Sequence, residues 1–229
     1  LSRREAYIGV LIDDLVTKGV DEPYRMMTSR AEYRVSLRQD NADLRLADYG
    51  YRLGLLGEAE YRTFQMKRDA IKQEIARLKS VMVTPVEAVR QALIDLGSGD
   101  LAKAVSAAEI LRRPQLTYGD LARVGVELPD LSWQIRQQVE IEVKFAGYLA
   151  RERKQMAGME KLEGQTIPLG TTFQEIAGLQ EEVARLLERV QPLSIGQAAR
   201  IPGVGAGDIA VLQIWLETQA RLHDQQTVQ

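Results

Sequence analysis

Arg25, Arg30, Arg34 and Arg38 sit close together near the start of the chain, and the last three recur at every fourth residue. That spacing puts Arg30, Arg34 and Arg38 on one face of either a helix or a strand. A guanidinium is always charged and forks onto planar anions, so a row of them suits a run of phosphates, with Glu32 and Asp40 near enough to neutralise part of it. A solvated face with local ion pairs has the same spacing. A second set, Lys144, Tyr148 and Arg151, falls at i, i+4 and i+7 and combines two cations with a ring able to stack on a base. Its alternative is a surface tyrosine flanked by long side chains. A third set is apolar: Ile209, Leu212, Trp215 and Leu216 share a helix near the end of the chain. Such a helix can dock a partner once one of its sides has packed at home.

Other chemistries are thinly represented. With no cysteine there is no disulfide framework, thiolate metal site or cysteine nucleophile, and the single histidine, His223, lies in a polar tail. Asp13 and Asp14 are adjacent, so on a helix they diverge; a solvated face or an ion pair with Lys18 accounts for them better than acid and base catalysis. Gly203-Val-Gly-Ala-Gly207 lacks the third glycine and the preceding strand of a dinucleotide fingerprint. It could be a helix-hairpin-helix turn aimed at a phosphate, but Asp208 would repel that phosphate, and a tight turn between packed helices suits it better.

The totals indicate a globular chain of one or two domains. It has 229 residues, 45% hydrophobic and 27% charged, with 7 prolines, which fits neither disorder nor a fibrous repeat. A net charge of -2 gives no global attraction to nucleic acid, so an RNA role must rest on local patches. No apolar run approaches the roughly 20 residues of a membrane helix.

The elements that must position these residues read as all-α. Ser2-Arg-Arg-Glu5 caps a helix over 3–18 with Ile8, Leu11, Ile12, Leu15 and Val16 as its apolar stripe, followed by a loop over 19–28. A helix is favoured for 29–39, although Ala31, Tyr33, Val35 and Leu37 alternate as in a strand. Helices are expected from Asp40 to about Leu53, over 58–80, from Thr84 to Gly97, from Asp100 to before Pro114, and briefly over 117–124. The segment 132–157 reads as one long helix with Trp133, Ile135, Val139 and Val143 toward a core. A linker over 158–170 precedes short helices at Thr172–Glu175, over 181–190 and after Ser194, then a last helix beyond Gly207 and a frayed tail from His223. The architecture expected is a multi-helix bundle with a smaller C-terminal helical subdomain. Residues 1–45 form a connecting segment, 46–157 the bundle and 158–229 the subdomain.

The run from Glu22 to Leu46, EPYRMMTSRAEYRVSLRQDNADLRL, resembles the hallmark segment of the GidA/MnmG family, with Met27 and Val35-Ser36 where the family more often has Phe and Leu-Leu. Similarity continues at Ala6–Leu15, Lys144–Arg151 and Gln197–Val204, in the family's order, and so extends over essentially the whole chain. The resemblance implies the C-terminal portion of a longer cytoplasmic flavoprotein that modifies carbon five of the tRNA wobble uridine. FAD, NADH and methylene-tetrahydrofolate would serve an upstream domain, and no cofactor is expected in this portion. It implies tRNA contacts at Arg25, Arg30, Arg34, Arg38, Lys144, Tyr148 and Arg151. It further implies docking of the GTPase partner MnmE near Ile209, Leu212, Trp215 and Leu216, and a homodimer through the full-length protein. An autonomous enzyme is not expected. The competing reading is a helical protein-interaction scaffold without RNA contact, which the near-neutral charge favours.

Overall fold

The computed structural model describes residues 1–19 and 22–227. Its helices in order are α1 (Tyr7–Thr17), α2 (Ala42–Arg52), α3 (Glu58–Ser80), α4 (Glu87–Asp95), α5 (Ala107–Leu111), α6 (Trp133–Lys144), α7 (Ala146–Glu163), α8 (Glu181–Val190), α9 (Ile195–Ala198) and α10 (Ala206–Thr227). Short 3-10 turns lie at Thr28–Arg30, Gly119–Val124 and Phe173–Glu175, and the strands β1 (Met82–Val83) and β2 (Val105–Ser106) pair antiparallel. The all-α expectation holds, with this one pair of two-residue strands as an addition.

Two compact units are present: Val35–Arg151, and Leu1–Arg34 together with Glu152–Gln229. Leu1–Arg34 therefore shares a unit with Glu152–Gln229 although the whole of Val35–Arg151 separates them in sequence.

In the Val35–Arg151 unit, α3 spans the residues its stripe indicates, opened by Gly57, whose N–H donates to Glu60 Oε2 at 2.9 Å. Ile71 and Leu78 on that stripe meet Val89, Leu93, Ile110, Leu111, Leu121, Val139 and Val143 in a single core. The helix expected from Asp100 begins only at Ala107. Val105 and Ser106 are instead extended against Val83 and Met82, which ties the start of α5 to the end of α3. Gly125 closes the 3-10 turn at φ 80°, a left-handed conformation that glycine adopts without strain. The single long helix expected over 132–157 breaks at Phe145, where ψ is 2°. It resumes as α7, which runs on to Glu163, so half of the expected linker is helix. Gly158 lies inside α7 on an exposed face, where it costs about 1 kcal/mol of helix propensity and breaks nothing.

In the other unit, Ile167, Phe173, Ile176, Val183, Leu187, Ile195, Ala198, Ile201 and Leu212 form the core, with Ile209, Trp215 and Leu216 packed partly against it. α8 follows its expected bounds and α9 is capped by Ser194, whose Oγ accepts from Gln197 N–H at 3.1 Å. α10 continues to Thr227, past the expected fraying point.

α1 is reversed relative to expectation. Ser2 N–H and Oγ donate to Glu5 at 2.7 and 2.8 Å, but this box closes a turn ahead of the helix. Gly9, Val10, Asp14 and Thr17 are buried, whereas Ile8, Ile12, Leu15 and Val16 face outward. Gly9 is what permits this, because a Cβ there would stand 2.3 Å from the Ser2 carbonyl carbon and oxygen.

Candidate nucleic-acid interface

Beyond the 3-10 turn that ends at Arg30, the segment to residue 39 is neither α-helix nor strand. Its first backbone bonds, Arg30 N–H to Met27 O and Ala31 N–H to Thr28 O, close single turns, and Ala31 is extended at φ -92°, ψ 113°. Ala31, Tyr33 and Leu37 are buried while Glu32 and Arg34 are exposed, an alternation no helix could satisfy. Carbonyls that a helix would use internally are taken by side chains: Arg38 Nη1 donates to Val35 O at 2.6 Å and Asn41 Nδ2 to Ser36 O at 2.9 Å.

The arginines consequently part company. Arg25, Arg30 and Arg34 are exposed, and among the described residues Arg25 and Arg34 form no ion pair. Arg30 lies over the Tyr24 ring at 4.6 Å and 3.9 Å from Asp14. Arg38 is not free: its side chain is only 15% exposed and donates to Asp40 at 3.0 Å and Glu142 at 3.2 Å. Arg38 is thus held by ion pairs within its own unit, while Arg25, Arg30 and Arg34 are left exposed.

Behind Arg30 lies a cluster no sequence spacing announces. Arg3 reaches Asp13, Asp14 at 3.3 Å and Glu32 at 2.7 Å; Arg200 grips both oxygens of Asp13 at 2.8 Å and also meets Glu163. Burial alone would loosen the protons of Arg3 and Arg200, and their carboxylate partners more than reverse it, raising both above the ordinary guanidinium value. Asp14 takes Lys18 at 2.9 Å, as the sequence suggests, and Tyr24 Oη at 2.8 Å. Burial pushes its carboxyl up, but the donors from Lys18, Tyr24 and Arg3 prevail and hold it below the usual range. Burial first, then the bond to Asp14, raise the Tyr24 phenol. Both carboxylates are thus engaged by cationic donors.

Lys144, Tyr148 and Arg151 are brought together only in part. Arg151 lies over the Tyr148 ring at 5.6 Å, and Tyr148 is 59% exposed. Lys144 bends back to Glu140 at 2.8 Å, and the break at Phe145 falls between it and the other two. Trp133, expected in the core, is 64% exposed.

On α10, Leu212 is fully buried in its unit's core, while Ile209, Trp215 and Leu216 are half-buried and Ile214 is outward. The glycine turn before α10 does not fit a dinucleotide pyrophosphate. Gly203 is at φ 99°, and Asp208 Oδ2 accepts from Gly205 N–H at 2.9 Å, placing a carboxylate where a phosphate would have to sit. Nor is there a cluster of metal-binding side chains among the described residues.

Residues 58–153 match the family profile described as the tRNA modifying enzyme MnmG/GidA C-terminal helical domain, and 155–229 match that described as its C-terminal helical bundle. The chain belongs to the MnmG/GidA family. It is 48% identical over 217 residues to the tRNA uridine 5-carboxymethylaminomethyl modification enzyme MnmG of Caldicellulosiruptor saccharolyticus, covering 95% of this chain and 35% of that one. The MnmG of Geobacillus thermodenitrificans is 45% identical, over 95% of this chain and 34% of its own. The structure of Aquifex aeolicus GidA in its form II crystal superposes with a TM-score of 0.77 at 38% identity, covering 94% of this chain and 34% of that one. The chain thus spans about a third of the length of the MnmG/GidA relatives it matches. The junction between the two family profiles, at 153–155, lies within α7, beside the boundary of the compact units.

Proposed function

We propose that this MnmG/GidA chain holds tRNA and a protein partner for a flavin-dependent cytoplasmic enzyme that modifies carbon five of the wobble uridine. The observation that carries this is the match to tRNA-modifying relatives over 95% of the chain. The exposed Arg25, Arg30 and Arg34 support phosphate contact, and the Tyr148–Arg151 pair supports a second contact through stacking. Flavin, NADH and the folate donor belong to other parts of the full-length protein, since the one glycine-rich turn here is closed by Asp208. Docking of the GTPase partner MnmE is assigned to α10 through Ile209, Trp215 and Leu216, with Leu212 supporting them from the core. In a gel-shift series against salt, tRNA is retarded at low salt and released steeply as salt rises. No retardation at low salt would refute the tRNA reading.

A scaffold without RNA contact is favoured by one observation, the outward Ile8, Ile12, Leu15 and Val16 of α1, which offer a protein an apolar face. Capture of MnmE with no tRNA retardation would select it.

A further inference from the structure

We infer that a groove in the Val35–Arg151 unit receives one unpaired nucleobase of the bound RNA, stacked on Trp133, with the flanking phosphate against Arg136; this rests on the tRNA reading above. One wall is a single face of α6, Trp133, Arg136, Gln137, Glu140 and Ile141, and the other is the loop Thr117, Tyr118 and Gly119. The groove is open and holds about 560 Å³, within the roughly 300–1,000 Å³ typical of ligand clefts.

Trp133 opens α6, which Ser132 caps through Ile135 N–H at 3.5 Å, and among the described residues its indole has no ring or cation stacked on it. A large flat side chain 64% exposed beside a groove leaves a face for another ring. Arg136 Nε donates to Leu131 O at 2.8 Å, which holds the guanidinium on the first turn of α6. Glu140, the carboxylate in the groove's wall, and Asp120, which follows the loop 117–119, are already satisfied. Glu140 accepts from Tyr118 N–H and Lys144 at 2.8 Å each, and Asp120 accepts from Thr117 N–H and Oγ1 at 2.8 and 2.7 Å. Arg136 is therefore the charge left to meet a ligand, and an aromatic face beside an uncompensated cation is the pairing that single-stranded nucleic acid requires. The floor is firm: Tyr118 is buried, with its Oη donating to Glu74 at 2.7 Å, while Glu74 also holds Arg77. Burial first, then Glu74, raises the Tyr118 phenol.

Trp215→Phe leaves Trp133 as the sole tryptophan and makes its fluorescence a direct report. Titration with a short single-stranded oligoribonucleotide, or with tRNA, quenches it; an RNA duplex of equal length does not. Trp133→Ala lowers affinity for the single strand about 5- to 150-fold, the usual loss of one stacked base. Gly119→Leu, at a position where a Cβ meets nothing nearer than Thr117 Oγ1 at 3.9 Å, narrows the groove and weakens binding without disturbing the fold. If tRNA is retarded yet Trp133→Ala and Gly119→Leu bind the single strand as tightly as the unaltered chain, the groove is not a base site although the tRNA reading stands. If no RNA is retarded, that reading itself falls.

Discussion

Arg34→Ala and Arg38→Ala should separate binding from stability at two positions that sequence spacing makes equivalent. Arg34 is exposed and outside the ion pairs of the described residues, so its removal costs no more than about 0.5 kcal/mol of stability. If it meets a phosphate, its loss with that of Arg25 lowers the slope of log affinity against log salt by about 0.7 each, 1.4 together, for single-stranded RNA. Arg38 should do the reverse. Its guanidinium, 15% exposed, bonds Asp40, Glu142 and Val35 O; Asp40 can recover solvent, and Glu142 keeps Gln138 at 3.2 Å. The net cost of Arg38→Ala is about 1.5 kcal/mol, between an exposed pair and a charged hydrogen bond made indoors. That corresponds to about 5–9 °C in the melting temperature of a domain of this size. Its salt slope should equal that of the unaltered chain. The measurements are calorimetric melts of each variant and tRNA gel shifts between about 50 and 200 mM salt. A flattened slope at unchanged melting temperature for Arg38→Ala, or an unchanged slope for the Arg25 and Arg34 double variant, would refute the division.

Gly9→Ala would add about 1 kcal/mol of helix propensity in an open helix, but its Cβ would fall 2.3 Å from Ser2 C and O and 2.7 Å from Arg3 N, all backbone. Strain of about 1–3 kcal/mol should win, so a higher melting temperature would show that the N-terminal turn does not rest on α1. The depressed carboxyl of Asp14 contributes stability that is complete above the unfolded value of about 3.9 and is lost as pH falls through its lower folded value. Asp14→Asn should therefore melt below the unaltered chain at pH 7, with the gap closing below about pH 4; parallel curves down to pH 2 would contradict this.

The sequence made α3 and α8 legible because each carries its own apolar stripe and stop, at Ser80 and before Pro192. α1 shows where periodicity stops being informative. It identifies an apolar side, Ile8, Ile12 and Val16, but not which side meets the unit, and here Gly9, Asp14 and Thr17 do, drawn by Arg3 and Ser2. The arginine segment differs for a related reason: spacing by four defines one face only where the backbone is a regular helix or strand. The burial of Ala31, Tyr33 and Leu37 imposes a turn-rich path instead. Trp133 cannot share a helical stripe with Ile135, two residues on, and lies instead on the face of Arg136, Gln137 and Glu140, away from the core that Ile135, Val139 and Val143 reach. The Arg200–Asp13 contact left no local trace at all, since 187 residues separate its partners.

That separation sets an order of events during synthesis. The Val35–Arg151 unit is continuous in sequence and can fold as soon as it has left the ribosome, whereas Leu1–Arg34 must wait for Glu152–Gln229. At about 5–20 residues per second, Asp13 emerges on the order of ten seconds before Arg200 exists to hold it. Throughout that interval α1 and the segment bearing Arg25, Arg30 and Arg34 lack the unit that fixes them, and closing so long a loop is slow in itself. Within this chain, Leu1–Arg34 is thus made ahead of Val35–Arg151 but completes its packing after it, once Glu152–Gln229 has emerged.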